Sequence, residues 1–181
     1  MGQSDWLVGA DRSSAAATRI HRAAATLIAR HGPERLTIAD IAAMVHCSPA
    51  TVYRHAGGRD QIRDAVLTQM SARIMHDVFA AIDGLTGAER VVTAMRVGID
   101  RIRHEPIARR MLPLPPGSLR WVERSPTITG PAAQMIGCAP DDLAVAWFIR
   151  AVLALCQWPA ADEETEREIL LRFVGPALTP T

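Results

Sequence analysis

Thr37-Ile-Ala-Asp-Ile-Ala-Ala-Met-Val-His-Cys-Ser48-Pro-Ala-Thr-Val-Tyr-Arg-His-Ala-Gly-Gly-Arg59 is the stretch whose reading decides the fold. Thr37 followed by Asp40 is a helix-start signature, because an N-cap hydroxyl and a carboxylate at the third position can satisfy backbone N–H groups that a helix leaves unpaired. Ile38, Ile41, Ala42 and Val45 then share one face. Ser48 is a second N-cap, and Pro49 suits the first helical position, where its missing N–H costs nothing and its φ is already helical. Gly57-Gly58 stops this second helix. His46 and Cys47 occupy the turn between the two, with no chemical role read for them. Two short helices meeting at a tight turn form a helix-turn-helix, with Ile38, Ile41, Val45 and Val52 as its core.

Outward from this stretch, helical spacing continues in both directions. Ile20, Ala23, Ala24, Leu27 and Ile28 predict a first helix over about Ser14–His31, ended by Gly32-Pro33. After Gly58 a long fourth helix runs to about Asp83, with Ile62, Val66, Met70, Ile74, Val78 and Ile82 in one stripe. A break at Gly84–Gly87 precedes a helix over Ala88–His104, whose inward residues are Val91, Val92, Met95, Ile99 and Ile102. Pro106 ends that helix or opens a short one. Pro113, Pro115, Pro116 and Gly117 read as an irregular connection, and Pro126 and Pro131 as breaks against one uninterrupted helix after it. A penultimate helix over Asp141–Gln157 is apolar nearly all round, which predicts burial on more than one side. The final helix opens on Asp162, Glu163, Glu164 and Glu166, charges that suit its N-terminal dipole. The fold class is all-α.

In a helix-turn-helix the second helix enters the major groove of DNA and the first crosses the backbone. That divides the residues by reach. Pro49, Ala50 and Arg54, with the N-cap Ser48, lie near the start and outer face of the second helix, and Arg54 is the leading candidate for reading a base, because a guanidinium can bond two acceptors of guanine at once. Thr37, Thr51, Tyr53, His55 and Arg59 suit phosphate, through hydroxyls, an imidazole and helix N-termini. For three of these a structural role stands beside the functional one: Tyr53 as a core side chain, His55 as a cap or a packing partner of the first helix, Arg59 as a solvated charge.

The run Pro49-Ala50-Thr51-Val52-Tyr53-Arg54-His55-Ala56-Gly57-Gly58-Arg59-Asp60, with the helices on either side, resembles the TetR family of bacterial transcriptional repressors over Ile20–Val66. It departs from the family pattern at Ala56, where a bulky aromatic is usual, and at Gly57-Gly58. The resemblance implies phosphate contacts for Thr51, Tyr53, His55 and Arg59. It also implies a helix-turn-helix DNA-binding domain at 12–60, linked by the long fourth helix to a ligand-binding and dimerisation domain at 61–181. On that reading the chain is a repressor of a palindromic operator, acting as a homodimer and released by a small lipophilic effector.

Composition is compatible with this. The 181 residues hold 20 Arg and no Lys, against 19 acids. Residues 1–63 carry 8 Arg and 5 acids, while 64–181 carry 12 Arg and 14 acids, so the basic excess coincides with the helix-turn-helix, as an electrostatic footprint on phosphate requires. Cys47, Cys138 and Cys156 have no metal-ligand spacing, and neither a metal nor a cofactor is implied. No basic-then-apolar leader opens the chain, and Leu143–Cys156 is interrupted by Arg150 and too short to span a bilayer, so a cytoplasmic, membrane-free protein is expected. Scattered His21, His31, His76 and His104, with no nucleophile setting and no phosphate loop, argue against an enzyme.

Large apolar side chains in the middle helices are candidates for an effector pocket: Met95, Ile99, Ile102, Met111, Trp121, Met135, Trp147 and Phe148, with Arg103, His104 and Gln134 to orient a ligand. Plain core is the competing reading for each. The last two helices could supply a dimer contact through Leu143, Trp147, Arg150, Leu153, Ile169, Leu170, Phe173 and Val174, against the reading that the penultimate helix is the centre of a monomer core. A DNA-binding activator, or a regulator answering to a partner protein, fits the same residues.

Overall fold

The computed structural model describes residues 5–113, 125–137, 139 and 143–178, with 5–12 as backbone only. Among the described residues every regular element is helical and no strand occurs. Contacts divide the chain into two compact units, Met1–Gln69 and Met70–Thr181.

In the first unit α1 (Asp5–His31) is followed by a 3-10 turn (Pro33–Arg35), α2 (Ile38–Val45), α3 (Pro49–Ala56) and the start of α4 (Arg59–Ala81). The spacing of apolar residues placed the start of α1 near Ser14. It begins at Asp5 instead, because 5–13 contains no Pro and a single Gly9, whose cost of about 1 kcal/mol does not end a helix. α1 packs on both α2 and α3. Ala24 and Ile28 of α1, Ile41 of α2, Val52 of α3 and Ile62 of α4 are sealed from solvent. Ile38 and Val45, expected in this core, are half-buried at its edge. Each buried aliphatic contributes roughly 1.5–3 kcal/mol, so a small unit of this kind rests on a few such side chains.

The second unit contains the rest of α4, then α5 (Gly87–His104), α6 (Pro106–Met111), α7 (Pro126–Ile136), α8 (Leu143–Gln157), α9 (Glu163–Ile169), a π-turn (Leu170–Val174) and α10 (Gly175–Leu178). The stripe on α4 behaves as its spacing predicts, with Val66, Met70, Ile74 and Val78 buried along the helix and Ile82 buried just past its end. α5 is the central helix: α6, α7, α8 and the 170–178 segment all pack on it. Pro106 opens α6. Pro126 likewise takes the first turn of α7, but Pro131 sits inside that helix, contrary to the break expected there. Gly130 offers no Cβ to the proline ring, and burial of Ala132, Ala133, Met135 and Ile136 on the far side offsets the lost backbone bond. Pro115, Pro116, Gly117, Cys138 and Asp141 lie outside the described residues.

The final helix is not one regular rod. Asp162 caps α9 by accepting from the Thr165 N–H at 2.7 Å, but residues 170–174 widen into a π-turn in which Gly175 N–H reaches Leu170 O. The widening precedes Pro176, which has no N–H to give and whose ring crowds the carbonyl four residues back. Gly175 packs closely on α5: a Cβ there would lie 3.2 Å from Val92 Cγ2 and 3.3 Å from Ala88 Cβ. Arg90 of α5 donates to Ile82 O and Met135 O, both at 3.2 Å, and so holds the carbonyl ends of α4 and α7.

Candidate nucleic-acid interface

The two short helices are capped as their sequence requires. Asp40 N–H donates to Thr37 Oγ1 at 3.1 Å, and Thr51 N–H donates to Ser48 Oγ at 3.2 Å. Asp40 does not reach back to a backbone N–H; its Oδ2 accepts the Thr37 hydroxyl at 2.6 Å. That hydroxyl is therefore committed to a carboxylate, and it must leave Asp40 before it can serve phosphate. The turn closes with Cys47 N–H on Ala42 O at 3.0 Å, while His46 adopts the left-handed conformation at φ 56°. This is a Schellman-type ending in which histidine stands where glycine is usual.

On α3 the split between core and surface is sharp. Val52 is fully buried, while Ser48, Pro49, Ala50, Tyr53 and Arg54 are exposed and Thr51 is half-buried. Ala50, Tyr53 and Arg54 fall at i, i+3 and i+4, one face of the helix. Tyr53 is 58% exposed, which removes the core reading of that residue. Its ring edge lies beside Gly58. His55 Nδ1 is hydrogen-bonded to Ser13 Oγ of α1 at 3.1 Å, so the packing alternative describes at least that nitrogen. Thr51 Oγ1 lies 2.9 Å from Ser48 Oγ, a pair at the N-terminus of the helix.

At the start of α4, Arg59 is half-exposed and lies 3.6 Å from Asp60, a carboxylate that Arg63 also approaches at 3.5 Å. Gln61 Oε1 accepts the Gly58 N–H at 2.8 Å. Gly57, at φ 79° and ψ −160°, is a conformation that essentially only glycine adopts, and a Cβ there would collide with the Gln61 side chain. Ser13 and Gln61 carry no motif and were not foreseen. The partner of Ser13 lies 42 positions away. Gln61, three residues after Gly58, could have been read as a helix-start signal. No acidic residue occurs between Asp40 and Asp60, so the turn and all of α3 are free of negative side chains.

The profile described as bacterial regulatory proteins, tetR family, matches residues 20–66, which encloses this whole arrangement. Over nearly its full length the chain is also 30% identical to an uncharacterized HTH-type transcriptional regulator of Mycobacterium tuberculosis, known from two strains, covering 99% of this chain and 93% of the relative. The chain belongs to the tetR family. It is a helix-turn-helix transcriptional regulator, not an enzyme. The crystal structure of the TetR family repressor AlkX from Dietzia sp., implicated in biodegradation of n-alkanes, shares the fold with a TM-score of 0.56 at 18% identity, covering 88% of this chain and 93% of that one.

The second unit of this TetR-family regulator contains a partly open cavity of about 120 Å³. Of the side chains singled out for a pocket, Ile102, Met111, Met135 and Phe148 line it, together with Met70, Ser71, Ile74 and Met75 of α4. Met95 and Ile99 do not; fully buried on α5, they are plain core. Trp147 is 43% exposed, and His104 and Gln134 are exposed. Trp121 lies outside the described residues. Arg103 turns away into an ion pair, with its guanidinium on both oxygens of buried Glu166 and on Leu155 O at 2.9 Å. The neighbouring Cys156 thiol is pushed up to about 12, chiefly by burial, with the Arg103 charge opposing the shift and that of Glu166 adding to it.

The residues expected at a dimer contact separate in the same way. Leu143 at 85%, Phe173 at 69% and Trp147 are exposed, Arg150 is on the surface and Ile169 is half-buried. Leu170 and Val174 are buried within the unit, and Leu153 lines the cavity, so these three face inward. Their positions follow from α8 and the 170–178 segment both packing on α5. Among the described residues no helix is long and apolar enough to cross a membrane, and no cluster of His, Cys, Asp or Glu could hold a metal.

Proposed function

We propose that this regulator is a repressor that binds a near-palindromic operator as a homodimer and is released when a small lipophilic molecule enters the cavity of its second unit. The observation that carries the DNA reading is α3 itself: Val52 anchors it from beneath, while Ala50, Tyr53 and Arg54 stand exposed in a stretch without acids. Arg54 is the base reader. Pro49 and Ala50 lie with it toward the base edges, Ser48 caps the helix, and Thr51, Tyr53 and Arg59 take the backbone, with His55 oriented by Ser13 and Thr37 acting first as a cap. A single head of this size meets few phosphates, so two heads on one duplex, roughly 34 Å or a multiple apart, supply the affinity.

Release is a coupling free energy. A ligand lowers DNA affinity by as much as it prefers the non-binding conformation, and no more. α4 is the element both functions share, since it starts with Arg59 and also supplies Met70, Ser71, Ile74 and Met75 to the cavity wall.

Selection of bound duplexes from a random pool tests the DNA reading. A recovered site with twofold symmetry is expected. On that site Arg54→Ala should relax preference at one position per half-site by about 1–3 kcal/mol, whereas Arg59→Ala should weaken all sequences alike and flatten the salt dependence. Recovery of no common sequence would overturn the proposal.

A further inference from the structure

The cavity wall is nearly uniform in chemistry. Among the described residues its lining carries no charged group, and Ser71 is the one side chain on it able to form a strong hydrogen bond. Ser71 is only 7% exposed. A hydroxyl set in a wall of carbon favours a guest that offers it a hydrogen bond over one that does not. Water is a poor guest here, because an ordered buried water needs two to four polar partners and this wall offers one.

We propose that the cavity takes a compact, uncharged molecule of about six to eight non-hydrogen atoms, apolar except for one oxygen, and that this oxygen is held by Ser71. The assignment rests on reading the second unit as an effector-binding unit. Size follows from volume: a dry cavity of roughly 150 Å³ accepts benzene, and this one is about 120 Å³. Met70, Met75, Met111 and Met135 form much of the wall, and their unbranched side chains can yield to a slightly larger guest. A charged guest is disfavoured because a carboxylate or ammonium would lie against carbon with no counter-ion among the described lining residues. The oxygen can be an alcohol or a carbonyl, since a serine hydroxyl both donates and accepts.

Three molecules of nearly the same shape test this by titration calorimetry on the full chain: benzyl alcohol, ethylbenzene and benzylammonium. The wild-type protein should bind the first two, and benzylammonium at least about a hundredfold more weakly than the alcohol. Ser71→Ala should weaken the alcohol about five- to tenfold and leave ethylbenzene within about twofold, the loss of one hydrogen bond. Ser71→Thr, which keeps the hydroxyl, should retain the preference for the alcohol over ethylbenzene. Ala132→Leu, filling the cavity from α7, should abolish binding of both neutral compounds. Equal losses for alcohol and ethylbenzene in Ser71→Ala, benzylammonium binding as tightly as the alcohol, or no binding by any of the three would overturn the proposal. Gel shifts on the selected operator separate this from the regulatory reading: compounds that bind as described yet leave DNA affinity unchanged uphold the ligand class and reject ligand-controlled release.

Discussion

At the scale of single residues, two backbone positions flank the proposed DNA-reading helix and call for opposite substitutions. Gly57 occupies a region closed to side chains and faces Gln61, so Gly57→Ala should cost about 1–3 kcal/mol and lower DNA affinity as the start of α4 shifts, measurable by thermal melting and gel shift. His46 is left-handed without being glycine. His46→Gly should therefore raise stability by about 0.5–1 kcal/mol; a lower melting temperature would show that the imidazole makes a contact worth more than the strain. His21 on α1 supplies a pH dependence. Burial holds its imidazole below the ordinary 6.5, so the unfolded chain takes up the proton more readily and stability falls as pH drops below about 6.5. His21→Gln should flatten that loss between about pH 7 and 5 in melting experiments. The φ of Gly57 and the shift of His21 follow from neighbours, Gln61 in one case and the packing of α1 in the other, and only the former neighbour is close in sequence.

At the scale of elements, the N-terminal helices were legible because their boundaries are local. Thr37, Ser48 and Pro49 act on N–H groups within three residues of themselves, so neither α2 nor α3 needed tertiary context to be placed. α7 and α9 were less legible for the converse reason. Pro131 is tolerated because of what the end of α7 buries, and the π-turn before Pro176 is accommodated against α5. Arg103 shows the same dependence: it was read as a ligand-orienting group, yet it ties α5 to α8 and α9 through Leu155 O and Glu166. Breaking that tie by Glu166→Ala should cost about 2 kcal/mol in denaturant unfolding, because a partly buried guanidinium loses its counter-charge, and Glu166→Gln should cost less. With its thiol pushed up to about 12, Cys156 should resist alkylation at pH 8 while half-buried Cys47 reacts first.

At the scale of the whole molecule, the proposed homodimer now has a narrower footprint. Leu143, Trp147 and Phe173 are large apolar side chains left on the surface of the second unit, as is Leu171 at 38% exposure. In a homodimer these side chains are the ones still free to form a shared apolar contact. Phe173→Asp should yield monomers on a sizing column and lose most operator affinity, since one head alone binds weakly; a variant still dimeric would place the contact elsewhere. A charge at Leu153 should instead disturb the cavity, because that side chain lines it.

By itself the sequence determined the helical class, the helix-turn-helix and its capping, the stripe of α4, and the family that these imply, because each is written in short-range spacing that any neighbourhood would read alike. Tertiary structure alone decided which apolar side chains enclose space and which are core or surface. Met95 and Met111 carry the same chemistry at helical positions, yet the first is packed solid within α5 and the second borders the cavity. Whether a side chain meets carbon, a void or water depends on residues distant in the chain, and no local period encodes that.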